Sequence, residues 1–555
     1  MKRTLKTILT IIVSATSLSS CINDLDVLPL NPSDTTPETA YGADEAGYVQ
    51  GLAKLYYNFV NTSDLVVSDG GASELVRAFW SVQECTADFA KCAWENDAWV
   101  RALNTNTWTE QQNDATYAVY ARTILGISFV NEYLRQTTPD KLSDRGVSSE
   151  LAQKIESFRA EARFLRAYFY WMAMDVFGAV PFTTEDSPIG GGFLPEQAPR
   201  KDVFNFCVSE LNGILNSLPE VRSNYPRVDK GSAYGLLARL YLNAEVYAGS
   251  PMWSEAKAAC EEIYKLGYSI CPKYPDLFRG DNGQNINARN EFLFSVDYNA
   301  EKTQSYGGTS YLTLAAVAAD DLTSGDLFNN LNGVNNGWAG IRVPFESLET
   351  IYNISGQDYE TGEYTVDDKR GELFYIKGRK ETMKDALYVF KNGWTCLKFN
   401  NTPHDKTAEE WVETAKTKAY SDVDFPLIRL GEIHLIYAEA CWRLNDASNA
   451  LALDKLKELA ARAGVAAPAT INGDFILKER ARELMWEGHR RTDLIRFGKY
   501  VGPEYLWAYK GGSYAGQEFN GYMSIFAIPL TELASNTKLV QNPGYPVSGT
   551  NPDKQ

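Results

Sequence analysis

The stretch 155–182, IESFRAEARFLRAYFYWMAMDVFGAVPF, constrains the fold of this chain more than any other. Its apolar residues fall at Ile155, Phe158, Ala162, Leu165, Phe169, Met172 and Val176, in alternating steps of three and four. A helix buries such a stripe against its neighbours, so the spacing predicts a long amphipathic helix. Gly178 and Pro181 mark its end. Glycine tolerates the left-handed turn after a last helical residue, and proline cannot extend the hydrogen-bond ladder.

Helical spacing recurs on both sides. It predicts helices over 46–61, 115–134, 202–218, 232–247 and 254–266, and a last pair over 426–444 and 447–463. Helix pairs at such intervals are the mark of tetratricopeptide-like units, although the strict consensus is absent. Between 267 and 425 the character changes. Glycine, asparagine and aromatic residues dominate there, and short apolar runs such as Glu291-Phe-Leu-Phe-Ser-Val suggest strands or extended segments. Long loops on a rigid scaffold are where binding residues concentrate. With 555 residues, the chain exceeds one ordinary core.

The first twenty residues read as an address. Lys2, Arg3 and Lys6 precede an apolar run over 8–13, and small residues lead to Leu18-Ser19-Ser20-Cys21, which looks like a lipoprotein signal and lipobox. Cys21 would become the acylated first residue, because two or more acyl chains anchor stably without a membrane span. Residues 21–38 read as a linker. The formal net charge of −17 argues against a nucleic-acid partner, whose phosphates demand a basic face. Seven other cysteines show no CxxC spacing and read as mostly buried thiols. Three scattered histidines, His404, His434 and His489, give a zinc site or a Ser-His-Asp triad little material.

Aromatic residues make up 12% of the chain, and Trp80, Trp94, Trp99 and Trp108 crowd a single segment among Asn, Asp and Thr. Tyr306 and Trp338 each stand beside glycine inside the long insertion. Sugars present apolar C–H faces and polar edges, so flat rings together with Asp, Asn and Arg make a carbohydrate platform that needs no nucleophile.

The motifs EARFLRAYFYW with FGAVPF, Asp424-Phe-Pro-Leu-Ile-Arg-Leu-Gly-Glu432, Tyr437-Ala-Glu-Ala440, the run 479–498 and Gln541-Asn-Pro-Gly-Tyr545 occur in this order. Together they resemble the SusD/RagB family, glycan-binding lipoproteins of the Bacteroidetes outer membrane. The resemblance implies a mainly α fold: a right-handed superhelix of four divergent TPR-like helix pairs with a large irregular loop-rich insertion. It implies one compound domain over 39–555, with helices about 39–266 and 426–500 and the insertion about 267–425. It also implies a cell-surface protein, lipid-anchored in the outer membrane, that captures oligo- or polysaccharide, first of all a starch-like α-glucan, and delivers it to a SusC-like TonB-dependent transporter. By similarity to the family's founder, Trp94, Tyr306 and Trp338 would stack on sugar, with Arg77, Asp69 and Asp97 as polar contacts. No cofactor is required, and Asp281, Asp422 and Asp424 resemble positions that hold a structural Ca2+. Arg480 with Glu483, and Glu487 with Arg490 or Arg491, are spaced to pair along one helix as a bracing network. Two other readings stand beside this one. A glycoside hydrolase would need paired carboxylates, for which no framing motif is found, and a TPR-type adaptor would leave the loop aromatics unexplained.

Overall fold

The computed structural model describes residues 36–546, apart from 65, 112, 325–326 and 385. The expected leader 1–20, Cys21 and the linker up to residue 35 lie outside the described residues. The long helix runs Ser149–Phe177. It begins six residues before the apolar stripe because the Ser148 hydroxyl caps it, accepting from the Leu151 amide at 3.2 Å. Gly178, at φ 73°, ends it as expected. Apart from Arg163, residues 160–177 are all buried, so this half is enclosed all round and not along a single stripe. The reason is position. Helices Asp114–Gln136 and Arg200–Ile214 both pack extensively against it, and Glu45–Tyr57 adds a third partner.

From there each helix hands on to the next. Arg200–Ile214 contacts Lys230–Leu242, which packs on Trp253–Tyr264. Trp253–Tyr264 then meets Leu430–Arg443, and Leu430–Arg443 meets both Ala450–Ala463 and Gly473–Leu484. The stack thus continues directly across the intervening insertion, giving a mainly helical, TPR-like superhelix. No helix among the described residues is long and apolar enough to cross a membrane.

Two local expectations need correction. The segment expected to open the helix 426–444 is instead a buried strand, Phe425–Arg429, which pairs antiparallel with Phe292–Val296. Its run Phe-Pro-Leu-Ile alternates nothing polar, and a proline without an amide donor fits a bulged ladder better than a helix interior. The expected pairs, Arg480 with Glu483 and Glu487 with Arg490 or Arg491, do not form. Arg480 bonds Asp493 at 2.8 Å, Arg490 bonds Asp88 at 2.8 Å, and Glu483 and Glu487 both meet Arg429 at 2.6 Å. These groups are buried, so they join separate elements instead of bracing a surface helix.

All seven cysteines among the described residues are free and buried. Of the tryptophan-rich segment, Trp80 and Trp108 are core residues with their indole N–H groups bonded to the Trp486 carbonyl and the Tyr545 hydroxyl, each at 2.9 Å.

Candidate functional site

Residues far apart in sequence reach one surface through two backbone connections. Lys91–Cys92 pairs antiparallel with Ile341–Arg342, and the Ala93 amide continues the ladder to the Gly340 carbonyl at 2.8 Å. This lays the Trp94 loop on the 338–340 segment. The six-membered part of the Trp94 indole covers Gly340 so closely that a Cβ there would stand 2.4 Å from the ring. Farther on, the Asn335 amide donates to the Lys418 carbonyl at 2.9 Å, which brings up Tyr420.

The rings form a continuous row. Trp94 and Trp338 have centroids 6.4 Å apart, Trp338 and Tyr306 meet edge to face at 5.2 Å, and Tyr306 and Tyr420 lie 5.0 Å apart. Tyr306 is 47% exposed. Trp94, Trp338 and Tyr420 are half-buried. The two tryptophans are partly buried and pack against the core, whereas Tyr306 does not. Tyr311, from the same glycine-flanked passage as Tyr306, belongs to the core and packs edge-on against Trp80 and Trp94.

Tyr306 is positioned from beneath by a buried carboxylate. Glu74 caps helix Leu75–Trp80 through the Arg77 amide at 3.0 Å. It also accepts from the Tyr298 hydroxyl at 2.5 Å and from the amide of Gly308, the first residue of Gly308–Ala316. Gly308 sits at φ 46° with the Tyr298 ring where a Cβ would be, so this turn has room for glycine only. Burial pushes the Glu74 carboxyl up to about 7, against the pull of these donors.

Of the polar residues, Arg77 is only 4% exposed. Its guanidinium bonds Asp69 at 2.9 Å and the Tyr306 carbonyl at 3.2 Å, and lies 4.2 Å over the Tyr311 ring. It braces the row from below. Asp69 and Asp97 are exposed, and both act electrostatically on a third carboxylate, Asp114. Burial first, and then these two neighbours, raise the Asp114 carboxyl above its ordinary value. Sequence reasoning missed Asp114 and Tyr420. The first follows Asn113, whose side chain caps helix Asp114–Gln136. The second lies in a polar run, and only its tyrosine type is a signal.

The three aspartates expected to hold calcium do not converge. Asp281 faces His404, with carboxylate oxygen to Nδ1 2.5 Å. Asp422 takes the Ala300 amide at 2.8 Å and Lys418 at 3.1 Å. Asp424 is buried under Gly283 and takes the Tyr225 hydroxyl at 2.7 Å and the Tyr298 amide at 3.0 Å. Among the described residues, the trio whose ligand atoms lie within 4.8 Å of one another is Asp281, His404 and Asp405. The donor set therefore does not fit a calcium shared by Asp281, Asp422 and Asp424, and no step below runs through one.

A mainly helical scaffold that carries a row of rings with an acidic margin defines a protein of the TPR-like helical class. Comparison with known proteins gives the family. The family described as "SusD family" matches residues 290–545, and one described as "Starch-binding associating with outer membrane" matches residues 68–242. The chain is 31% identical to the starch-binding protein SusD of Bacteroides thetaiotaomicron, over 96% of this chain and 97% of that one. Among solved structures, a SusD homolog from the same species has a TM-score of 0.68 at 17% identity, covering 92% of this chain and 99% of that one. A laminarin-binding SusD-like protein has a TM-score of 0.64 at 21% identity, covering 90% and 100%. This chain belongs to the SusD family. It is a binding protein, not an enzyme.

Proposed function

We propose that the chain is a surface glycan-binding lipoprotein that captures oligo- or polysaccharide on the row Trp94–Trp338–Tyr306–Tyr420 and passes it to a SusC-like TonB-dependent transporter. The observation that carries this reading is the continuity of the four rings beside carboxylates that have few protein partners. Ring faces accept the C–H faces of successive sugar units, while Asp69, Asp97 and Asp114 accept their hydroxyls. Arg77 orients Asp69 and the Tyr306 backbone. A starch-like α-glucan is the first choice of ligand, in keeping with the 31% identity to a starch-binding protein. A β-glucan is the second, since a laminarin-binding protein shares the fold.

Calorimetric titration with maltoheptaose and laminariheptaose tests this. Saturable binding to the first and none to the second is expected, without new reducing ends appearing on incubation. Binding to neither glucan would overturn the α-glucan and β-glucan choices together. Anchoring is tested separately. Cys21→Ala should move the protein from the outer-membrane fraction to the soluble one in cells lacking the transporter, since acyl chains on that thiol are the proposed anchor. Retention of the variant in the membrane would overturn the lipoprotein reading.

A further inference from the structure

A cavity of about 240 Å3 lies apart from the ring row and is lined by Glu346, Thr350, Tyr505, Leu506, Trp507 and Tyr514. Trp507 is 5% exposed, and its indole N–H has no hydrogen-bond partner. That is an exception here. The other five buried tryptophans of the described residues, Trp80, Trp108, Trp171, Trp394 and Trp486, each donate to a carbonyl or hydroxyl oxygen. A buried donor left unmade costs free energy, so one that persists in a cavity wall marks a place for an acceptor from outside. Glu346 supplies the converse. One of its carboxylate oxygens takes the Tyr514 and Thr382 hydroxyls, while the other is buried without a partner.

The wall is also rigid. Trp507 stacks on Tyr500 with centroids 6.0 Å apart and an interplanar angle of 26°. On its other contact the Lys510 ammonium sits 4.5 Å from the ring centroid, held by the Gly502 and Tyr505 carbonyls at 2.6 and 2.7 Å. A fixed donor and a fixed anionic acceptor between aromatic walls suit a group that gives one hydrogen bond and takes another. A sugar hydroxyl does both. The carboxylate disfavours an acidic sugar.

We propose that this cavity is a second sugar pocket, taking one neutral sugar unit with its hydroxyls between Glu346 and Trp507. The proposal rests on the glycan reading above. Glu346 is eight residues from Trp338, so the two lie at most about 29 Å apart. Both places are thus within reach of one long oligosaccharide.

Crystals of the full chain soaked in maltoheptaose, and separately in laminariheptaose, test the idea without any substitution. Sugar density is expected on the ring row and, as a separate feature, in the cavity between Glu346 and Trp507. Density on the ring row with only water in the cavity overturns this inference and leaves the platform reading standing. Density in neither place overturns both, and density in the cavity alone supports the pocket and overturns the platform. In solution, Glu346→Gln should weaken binding of the glucan that binds by about tenfold and Trp507→Phe by about threefold, the scale of a charged and a neutral hydrogen bond. Unchanged affinity in both variants, with thermal melts like the parent's, would likewise overturn the pocket.

Discussion

Trp94, Trp338 and Tyr306 share one surface but not one burden, and single substitutions should separate stacking from packing. Tyr306 is 47% exposed and its ring meets only the half-buried Trp338 and Tyr420 among the ring contacts described, so Tyr306→Ala should weaken glucan binding by about 1–3 kcal/mol, on the scale of ring stacking in single-strand recognition. Its melting temperature should barely move. Trp94 also covers Gly340 and touches Tyr311. Trp94→Ala should therefore lose affinity and also part of the roughly 3–5 kcal/mol that a fully buried tryptophan carries. Calorimetry and thermal melts on the two variants decide the matter. Equal losses of stability, or affinity unchanged in the tyrosine variant, would show that the row is packing and not platform.

At the scale of elements, Glu74 ties the start of helix Leu75–Trp80 to the start of Gly308–Ala316 and so fixes the turn that presents Tyr306. Its carboxyl titrates near 7 in the folded protein against an ordinary 4.5, mainly because it is buried. The folded state therefore holds a proton that the unfolded chain has lost between these values. Stability from this group is complete below about pH 4.5 and is lost as the pH rises through 7. Glu74→Gln removes the titration, so its unfolding free energy should fall less steeply between pH 5 and 7 than the parent's, by up to about 1.4 kcal/mol per pH unit. Urea midpoints at pH 5, 6, 7 and 8 measure this, and parallel curves would refute it. The sequence carried the helices themselves, because the 3.6-residue period and residues such as Ser148 and Gly178 act within a few positions. It could not carry Glu74, whose partner amide is 234 residues away. The same limit hid Tyr420, which the contact between the Asn335 amide and the Lys418 carbonyl brings to the site. Trp94, Tyr306 and Trp338 stood out as aromatic residues near glycine and asparagine, and the family likeness tied them together.

Across the whole molecule, the insertion is fastened to the helical stack by a buried charge cluster. Glu291, Asp368, Glu479, Glu483 and Glu487 meet Arg370, Lys398, Arg429, Arg462 and Arg482, five of each sign. Glu291, Asp368, Arg370 and Lys398 come from the insertion, Arg429 from the strand that follows it, and the rest from the C-terminal helices and the turn after them. Burial alone would raise the Glu483 carboxyl, yet Arg462, Arg429 and Arg370 together hold it well below the usual range. With five groups of each sign the cluster is balanced, which sets what a single loss should do. Replacing a buried ion pair with apolar residues can be neutral, but deleting one partner strands the opposite charge in a medium that solvates it poorly. Arg429 touches three of the carboxylates and is 1% exposed, so Arg429→Met should cost about 3–5 kcal/mol. The exposed pair Lys416–Glu413 offers the contrast, and Lys416→Ala should cost less than about 1 kcal/mol. Urea unfolding of both variants reads the difference. If Arg429→Met unfolds no more easily than Lys416→Ala, the cluster does not hold the insertion to the stack.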